Sequence, residues 1–536
     1  MSSEPTPPRR RLGPIWALVL LHCNTPSAPT AASASALPSA AAVAPSAQSP
    51  ASPAATQANG ATASGDLTSP VPSGVPALKE AVGALARKIT EYGGHLSAAI
   101  LDVQSGELLA AQNDRRPLNP ASNAKLFTAA AALSLLHGGY RFETGLYGEL
   151  RGASVSKLVL RGQGDPSLVT EDLWDMVQDL KNQGVRRIEG DVQVDQHFFD
   201  DNYIPPAFEQ QPNEWAYFRA PVSAVALNEN TVTMRVRPTA VDAPAVVSFD
   251  PPGFVDIDGT VKTVAEGIPQ NVKLELSTEG YRLVARVGGV IGEKDRTISF
   301  TRRVDNPTLL PGYALKALLA AAGVAVGGDV KPSGGEPPKS ILVLHRSQPL
   351  STLLYELGKA SNNFYAEMVL KTIGAERQGR PGKSSDGADL VVKYLKQAGA
   401  FEEGTVIKNG SGLYDANRVS AGVTVRLLRA AYRDPAISSE YLAQLSVGGV
   451  DGTLHKRFLE LKDKRILRAK TGTLESTVAL SGYVLAPAGK SPIAFSIMVN
   501  DVAGKVTGAR AAVDKCTDAI VRHLWRGDGR SAETRN

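Results

Sequence analysis

The sequence predicts a mixed α/β (α+β) domain split by a large β-rich insertion, and three observations carry that prediction. An amphipathic helix, a strand hairpin and an alanine-rich helix open the segment from Pro76 to Thr144. Short strand-like runs separated by Gly, Pro and Asn then fill residues 145–340. Helical periodicity returns after Ile341 and closes with two neighbouring strands and a last helix, the partners that a sheet begun near His95 still needs.

At 536 residues the chain has room for about three domains. Its 43% hydrophobic and 21% charged residues suit a globular protein with a sizeable core. A net charge of +5 is small for this length, and no basic run with interleaved aromatics follows the first dozen residues, so nucleic acid is not an expected partner.

Arg9, Arg10 and Arg11 precede the apolar run Leu12–Leu21, which is too short to span a bilayer and suits a secretory signal peptide over residues 1–24. Export to the periplasm or cell envelope follows, with membrane association peripheral at most. The cleavage site stays open, as does lipidation at Cys23, because His22 is large for the position before a lipidated cysteine. Residues 25–75 are Ala, Ser, Pro and Thr with almost nothing to bury, which reads as a disordered linker. The only other cysteine, Cys516, lies at helical spacing with Val513, Ile520 and Leu524, as a small buried hydrophobe would.

The folding part begins with Leu78, Val82, Leu85 and Ile89 on one helical stripe that ends at Gly93-Gly94. Strands are expected at His95–Val103 and Glu107–Gln112, then a helix from Ser122 toward Leu136. Within 145–340 the strand-like runs are Lys157–Arg161, Val192–Asp195, Val232–Val236, Val272–Leu276, Leu283–Val287 and Thr297–Phe300, with helical pattern at Glu171–Gln183 and Tyr313–Ala322. One or two modules fit there. The second half of the split domain, 341–536, should hold helices at Leu353–Thr372, Asp386–Ala398 and Ser420–Tyr432, strands at Val478–Leu485 and Ile493–Asn500, and a helix from Lys505 to Trp525.

Three short motifs carry chemistry. Ser122-Asn123-Ala124-Lys125 sets a hydroxyl and an amine three residues apart, on one face of a helix. A lysine can serve a serine nucleophile as base where its pKa is depressed, yet about two such spacings are expected by chance in a chain like this, and Ser154 and Lys157 form another. Ser361-Asn362-Asn363 would pass as an ordinary helix cap. Lys470-Thr471-Gly472, ahead of an apolar strand, is the least expected by chance and would otherwise read as an exposed strand end. Other signals fail. Gly162 and Gly164 lack the third glycine of a dinucleotide loop, and Gly382-Lys383-Ser384 lacks the upstream glycine of a phosphate loop. Ser411 lacks the spacing of a nucleophile elbow, and the seven histidines are scattered, so neither metal nor cofactor is expected.

The order Ser-x-x-Lys, Ser-x-Asn, Lys-Thr-Gly is the signature set of penicillin-recognising serine enzymes. Ser361 lies 239 residues beyond Ser122, a wide gap. With it the chain resembles the class C low-molecular-mass penicillin-binding proteins, a D-alanyl-D-alanine carboxypeptidase and endopeptidase family with an insertion at this place. Gly162–Leu168, Asn228-Glu229-Asn230, Asn409–Leu413, Asp451–Leu454 and Leu480–Val484 extend the resemblance across Pro76 to Trp525, with Asn409 where an aspartate is common.

The resemblance implies a penicillin-recognising serine transpeptidase/β-lactamase-like fold, peptidoglycan D-Ala-D-Ala peptides as substrate and β-lactams as inhibitors. It implies Ser122 as nucleophile, Lys125 as its base, Ser361 as proton relay, Asn363 as a holder of the acyl side chain, and Lys470 with Thr471 as the carboxylate site. Backbone N–H groups of Ser122 and Thr473 would receive the oxyanion, beside Gly472. Crowding by Lys470 is expected to depress the Lys125 pKa. A β-lactamase, a related serine esterase and a non-catalytic wall-binding protein are the rivals, and oligomeric state stays open.

Overall fold

The computed structural model of the protein describes residues 75–335 and 338–525. The expected signal peptide and most of the linker lie outside the described residues.

Helix α1, Pro76–Glu91, buries Leu78, Val82, Leu85 and Ile89, the stripe its 3.6-residue period predicts. Strands β1, His95–Asp102, and β2, Leu108–Gln112, form the expected hairpin. Helix α2 runs from Ala124 to Leu136, and β3 covers Glu143–Tyr147. After the intervening segment come β4 at Ile341–Arg346, α3 at Leu350–Gly358, α4 at Asn363–Arg377, α5 at Ser384–Gln397, α6 at Ala421–Arg433 and α7 at Ser438–Ala443. Strands β5 at Ser446–Val447, β6 at Leu467–Leu474, β7 at Thr477–Val484 and β8 at Ile493–Asn500 precede α8 at Val506–Trp525.

The main sheet has the order β5-β6-β7-β8-β1-β2, antiparallel throughout. Strand β1 pairs with β8 over all eight residues, His95 against Asn500, so the first and last strands of the split body close on each other. Both β7 and β8 are buried along their whole length, because helices cover both faces. On one face α1 and α8 pack through Leu85, Ile89, Val513, Cys516 and Ile520. On the other, α2 lies at the centre of a helical layer with α3 to α7, and nearly all its residues are buried, as an all-apolar helix requires.

Residues 148–340 build four further sheets, one of them completed by β3 and β4, around two further cores. One includes Leu160, Leu173, Val194 and Leu315 and is flanked by helices at Thr170–Asn182 and Leu310–Ala321. The second, around Met234, Val236, Ala285 and Val287, lies among strands Thr231–Arg237, Asn271–Glu279 and Arg282–Gly292. The segment leaves through β3 and returns through β4, which pair antiparallel, so both crossings sit side by side. The sequence-based boundary at 144/145 falls inside β3.

One expected element needs correction. The helix expected over Leu353–Thr372 is two helices, broken at 359–362, where Ser361 adopts φ of +62° and Asn362 caps α4 by accepting from Tyr365 N–H. Lys470-Thr471-Gly472 lies ahead of the apolar strand β7, as expected, and is itself part of a strand, β6.

Candidate active site

Ala121–Asn123 forms a single 3₁₀ turn, and α2 proper begins at Ala124, two residues later than the sequence suggested. Asn119 builds the turn. Its Oδ1 accepts the Ala121 N–H at 2.9 Å, while Asn500 clamps Asn119 from β8, Oδ1 accepting its N–H at 2.8 Å and Nδ2 donating to its carbonyl at 3.0 Å. Ala121 has φ of +47°, uncommon for a residue with a Cβ. Two glycines press against it: a Cβ on Gly412 would stand 1.8 Å from the Ala121 carbonyl oxygen, and one on Gly472 2.8 Å from that of Pro120. Among residues 121–130 only Ser122 is not fully buried, so the turn presents its hydroxyl outward from a rigid base.

Lys125 is fully buried one turn along. Its Nζ lies 3.2 Å from Ser122 Oγ, 2.8 Å from Asn363 Oδ1 and 2.8 Å from the Ser411 carbonyl. Asn363 opens α4 and is itself held by donating from Nδ2 to the Phe218 carbonyl at 3.0 Å. From the other side, buried Lys470 donates to Ser361 Oγ at 2.7 Å and to the Thr471 carbonyl at 2.9 Å. The fold thus gathers Ser122, Lys125, Ser361, Asn363 and Lys470 around one cleft. Gly472 lies against the serine turn, Thr471 Oγ1 donates to Thr453 Oγ1 at 2.8 Å, and Thr473 is exposed toward the end of β6.

Burial pushes the Lys125 amine down to about 7, partly opposed by the negative charge of Glu367. This corrects the expectation that Lys470 is the cause. Repulsion between the two cations falls on Lys470, held well below the usual lysine range by burial first and Lys125 second. Lys125 is therefore poised to be neutral near pH 7.

The sequence reading gives no role to two carboxylates. Glu367, fully buried on α4, accepts the Gly410 N–H at 3.1 Å and the Ser411 N–H at 2.8 Å, and so positions the carbonyl that Lys125 bonds. Its carboxyl is raised by burial, against those hydrogen bonds and the Lys125 charge. A signal existed, since Glu367 stands four residues after Asn363 and thus on its helix face. Glu229 lies in Asn228-Glu229-Asn230, three consecutive residues with φ near +50°. Its two carboxylate oxygens each accept from Asn362 Nδ2 at 3.0 Å. The intervening segment thereby braces the Ser361–Asn363 link. Asn409, standing where an aspartate is common, also joins the parts, donating to the Pro206 carbonyl and accepting from Gly412 N–H.

Among the described residues no group of three or more His, Cys, Asp or Glu could hold a metal ion, and no helix is long and apolar enough to cross a membrane.

A serine on a turn ahead of a buried helix, a lysine beneath it, a Ser-x-Asn link and a Lys-Thr-Gly strand along one cleft define the class of penicillin-recognising serine hydrolases. The chain belongs to the D-Ala-D-Ala carboxypeptidase 3 (S13) family, whose sequence profile matches residues 78–520. It is thus a serine-type peptidase. A D-alanyl-D-alanine carboxypeptidase from Actinomadura sp. is 33% identical over 446 residues, covering 80% of this chain and 81% of that one. D-alanyl-D-alanine carboxypeptidase DacB from Haemophilus influenzae is 23% identical over 435 residues, covering 78% and 88%. The crystal structure of penicillin binding protein 4 (dacB) from the same organism shares the fold, with a TM-score of 0.68 and 21% identity over 82% of this chain and 99% of that one.

Proposed function

We propose that Ser122, Lys125, Ser361, Asn363 and Lys470 form one catalytic centre that cleaves D-alanyl-D-alanine bonds of peptidoglycan stem peptides, with Thr471, Gly472 and Thr473 binding the substrate. Ser122 Oγ attacks the scissile carbonyl while neutral Lys125 accepts its proton. The tetrahedral oxyanion sits between the Ser122 and Thr473 N–H groups, each worth roughly 3–4 kcal/mol in comparable acyl transfers. The C–N bond then breaks as Ser361, bonded to Lys470, passes a proton to the leaving amine. Water hydrolyses the resulting ester. Asn363 holds the acyl side chain, and Lys470 with Thr471 takes the leaving residue's carboxylate through charge-assisted hydrogen bonds. A β-lactam acylates Ser122 by the same attack, a reading supported by the H. influenzae protein having been solved in complex with a β-lactam.

The observation that carries this reading is the setting of Lys125 Nζ. Ser411 O and Asn363 Oδ1 take two N–H groups, so the lone pair of the neutral amine is left for the Ser122 hydroxyl. The test is Lys125→Ala with Ser122 retained, labelled by fluorescent penicillin. Acylation should fall by at least a hundredfold, and a rate near wild type would remove Lys125 from the role of base. One equivalent of stable label accords with the peptidase, whereas sustained nitrocefin turnover would indicate a β-lactamase. The N-terminal arginines and apolar run support work outside the cytoplasm, on the cell wall. The partition into a peptidase domain, 76–144 and 341–536, and an inserted 145–340 belongs to the same proposal.

A further inference from the structure

A cavity of about 430 Å³ is walled by Lys359, Arg465, Arg468, Asp451 and Tyr355 together with α7. Its place follows from the strand. Side chains of β6 alternate, so Arg468 and Lys470 share a face, and two residues at about 3.3 Å each set them about 7 Å apart. Lys359 likewise precedes Ser361 by two residues in the α3–α4 link. Two of the cavity's walls are thus the same backbone segments that carry Lys470 and Ser361.

Direction assigns it a side of the substrate. On the mechanism proposed above, on which this inference rests, the reacting carbonyl lies at Thr473 and the carboxylate of the leaving residue at Thr471 and Lys470. Going backward along β6, Arg468 comes next. A leaving D-alanine ends at Lys470, so only a leaving group that continues as a further peptide reaches Arg468.

Charge assigns its chemistry. Three cations face one acid, and that acid is committed: Asp451 accepts from Lys359 Nζ at 2.8 Å and from Val447 N–H at 2.7 Å. Arg468 has no such partner, its Nε being buried without an acceptor among the described residues. Its guanidinium lies below the usual arginine range through burial and then the charge of Arg465, with Asp451 opposing, and both arginines line the cavity. A buried guanidinium N–H with no acceptor is costly, and a carboxylate answers it in a two-bond geometry.

We propose that this cavity is an anion subsite on the leaving-group side, in which Arg468, aided by Arg465, binds a second carboxylate of the leaving strand of a cross-linked stem-peptide dimer. It would make cross-linked peptides substrates in their own right, distinguished from monomers by the peptide beyond the broken bond.

The test compares wild type, Arg468→Gln and Arg465→Gln/Arg468→Gln, all full chains with unchanged melting temperature and fluorescent-penicillin labelling. Substrates are a purified cross-linked dimer, the same dimer amidated at the free carboxylates of its leaving strand, and a monomeric pentapeptide ending in D-Ala-D-Ala. Arg468→Gln should lower kcat/KM on the dimer ten- to thirtyfold and leave the monomer within twofold. Amidation should lower wild-type cleavage of the dimer similarly and abolish the effect of the substitution. Equal effects on dimer and monomer, no effect on either, or no dimer cleavage by wild type would overturn the subsite. Failure of wild type to cleave the monomer or take the label would instead overturn the catalytic assignment.

Discussion

If Lys125 accepts the Ser122 proton, acylation must follow the fraction of Lys125 that is neutral, and pH is the least invasive way to change it. Held at about 7, Lys125 is neutral in about half of the molecules at pH 7. An ordinary lysine near 10.4 would be neutral in about one molecule in 2,500. The difference corresponds to about 5 kcal/mol favouring the neutral amine, supplied mainly by the fully buried site. The sign is fixed, because the active form has lost its proton and activity must rise with pH. Second-order acylation by fluorescent penicillin, measured from pH 5 to 9 at constant ionic strength, should climb about tenfold per unit below pH 7 and level off above pH 8. At pH 5 the rate should be about a hundredth of the plateau. A rate independent of pH, or one still climbing toward pH 10, would refute the assignment of Lys125 as base.

Three further residues give predictions, two beside the site and one in the α1–α8 core. Glu367→Gln keeps the shape but leaves one of the Gly410 and Ser411 N–H groups without an acceptor, so the protein should lose about 1–3 kcal/mol in denaturant unfolding. Because the Glu367 charge raises the Lys125 pKa, the same variant should move the acylation midpoint to lower pH, and an upward move would contradict this. Glu229→Ala frees Asn362 and should slow acylation several-fold at a cost in stability below about 2 kcal/mol, with Glu229→Gln recovering part of the rate. Cys516 is buried and its thiol is pushed up to about 12, so maleimide should label the native protein at that site only as fast as it unfolds.

What the sequence could and could not disclose divides along physical lines. The stripe Leu78, Val82, Leu85 and Ile89 and the buried strands β7 and β8 are legible, because burial of one face imposes a period that the chain must carry. The break at 359–362 is not, because Leu353, Leu354, Leu357, Phe364 and Met368 continue the apolar pattern on either side of it, and the departure lies in the backbone of Ser361 and the extended Asn362. Motif order places Ser122, Lys125, Ser361, Asn363 and Lys470 in one cleft. It says nothing of Glu229 or the Phe218 carbonyl, which arrive there through the fold of a segment with no motif in common with the rest. The cause of the Lys125 shift was misread for a similar reason: a neighbouring cation can be named from sequence, whereas burial on every side is a property of the packed helical layer.

The two-way amide pairing of Asn119 with Asn500 gives the serine turn a birth order. Ser122 is made early, yet the side chain that steadies its turn lies at the end of β8, and the lysine facing it from β6 comes hardly sooner. A nascent chain therefore carries Ser122 through most of its synthesis without the side chain that steadies its turn, as closure of so distant a pairing must wait. Any product interrupted before Asn500 keeps the serine and loses the Asn500 clamp on its turn, so on the mechanism proposed here reactivity toward a β-lactam doubles as a certificate that β8 has closed against β1.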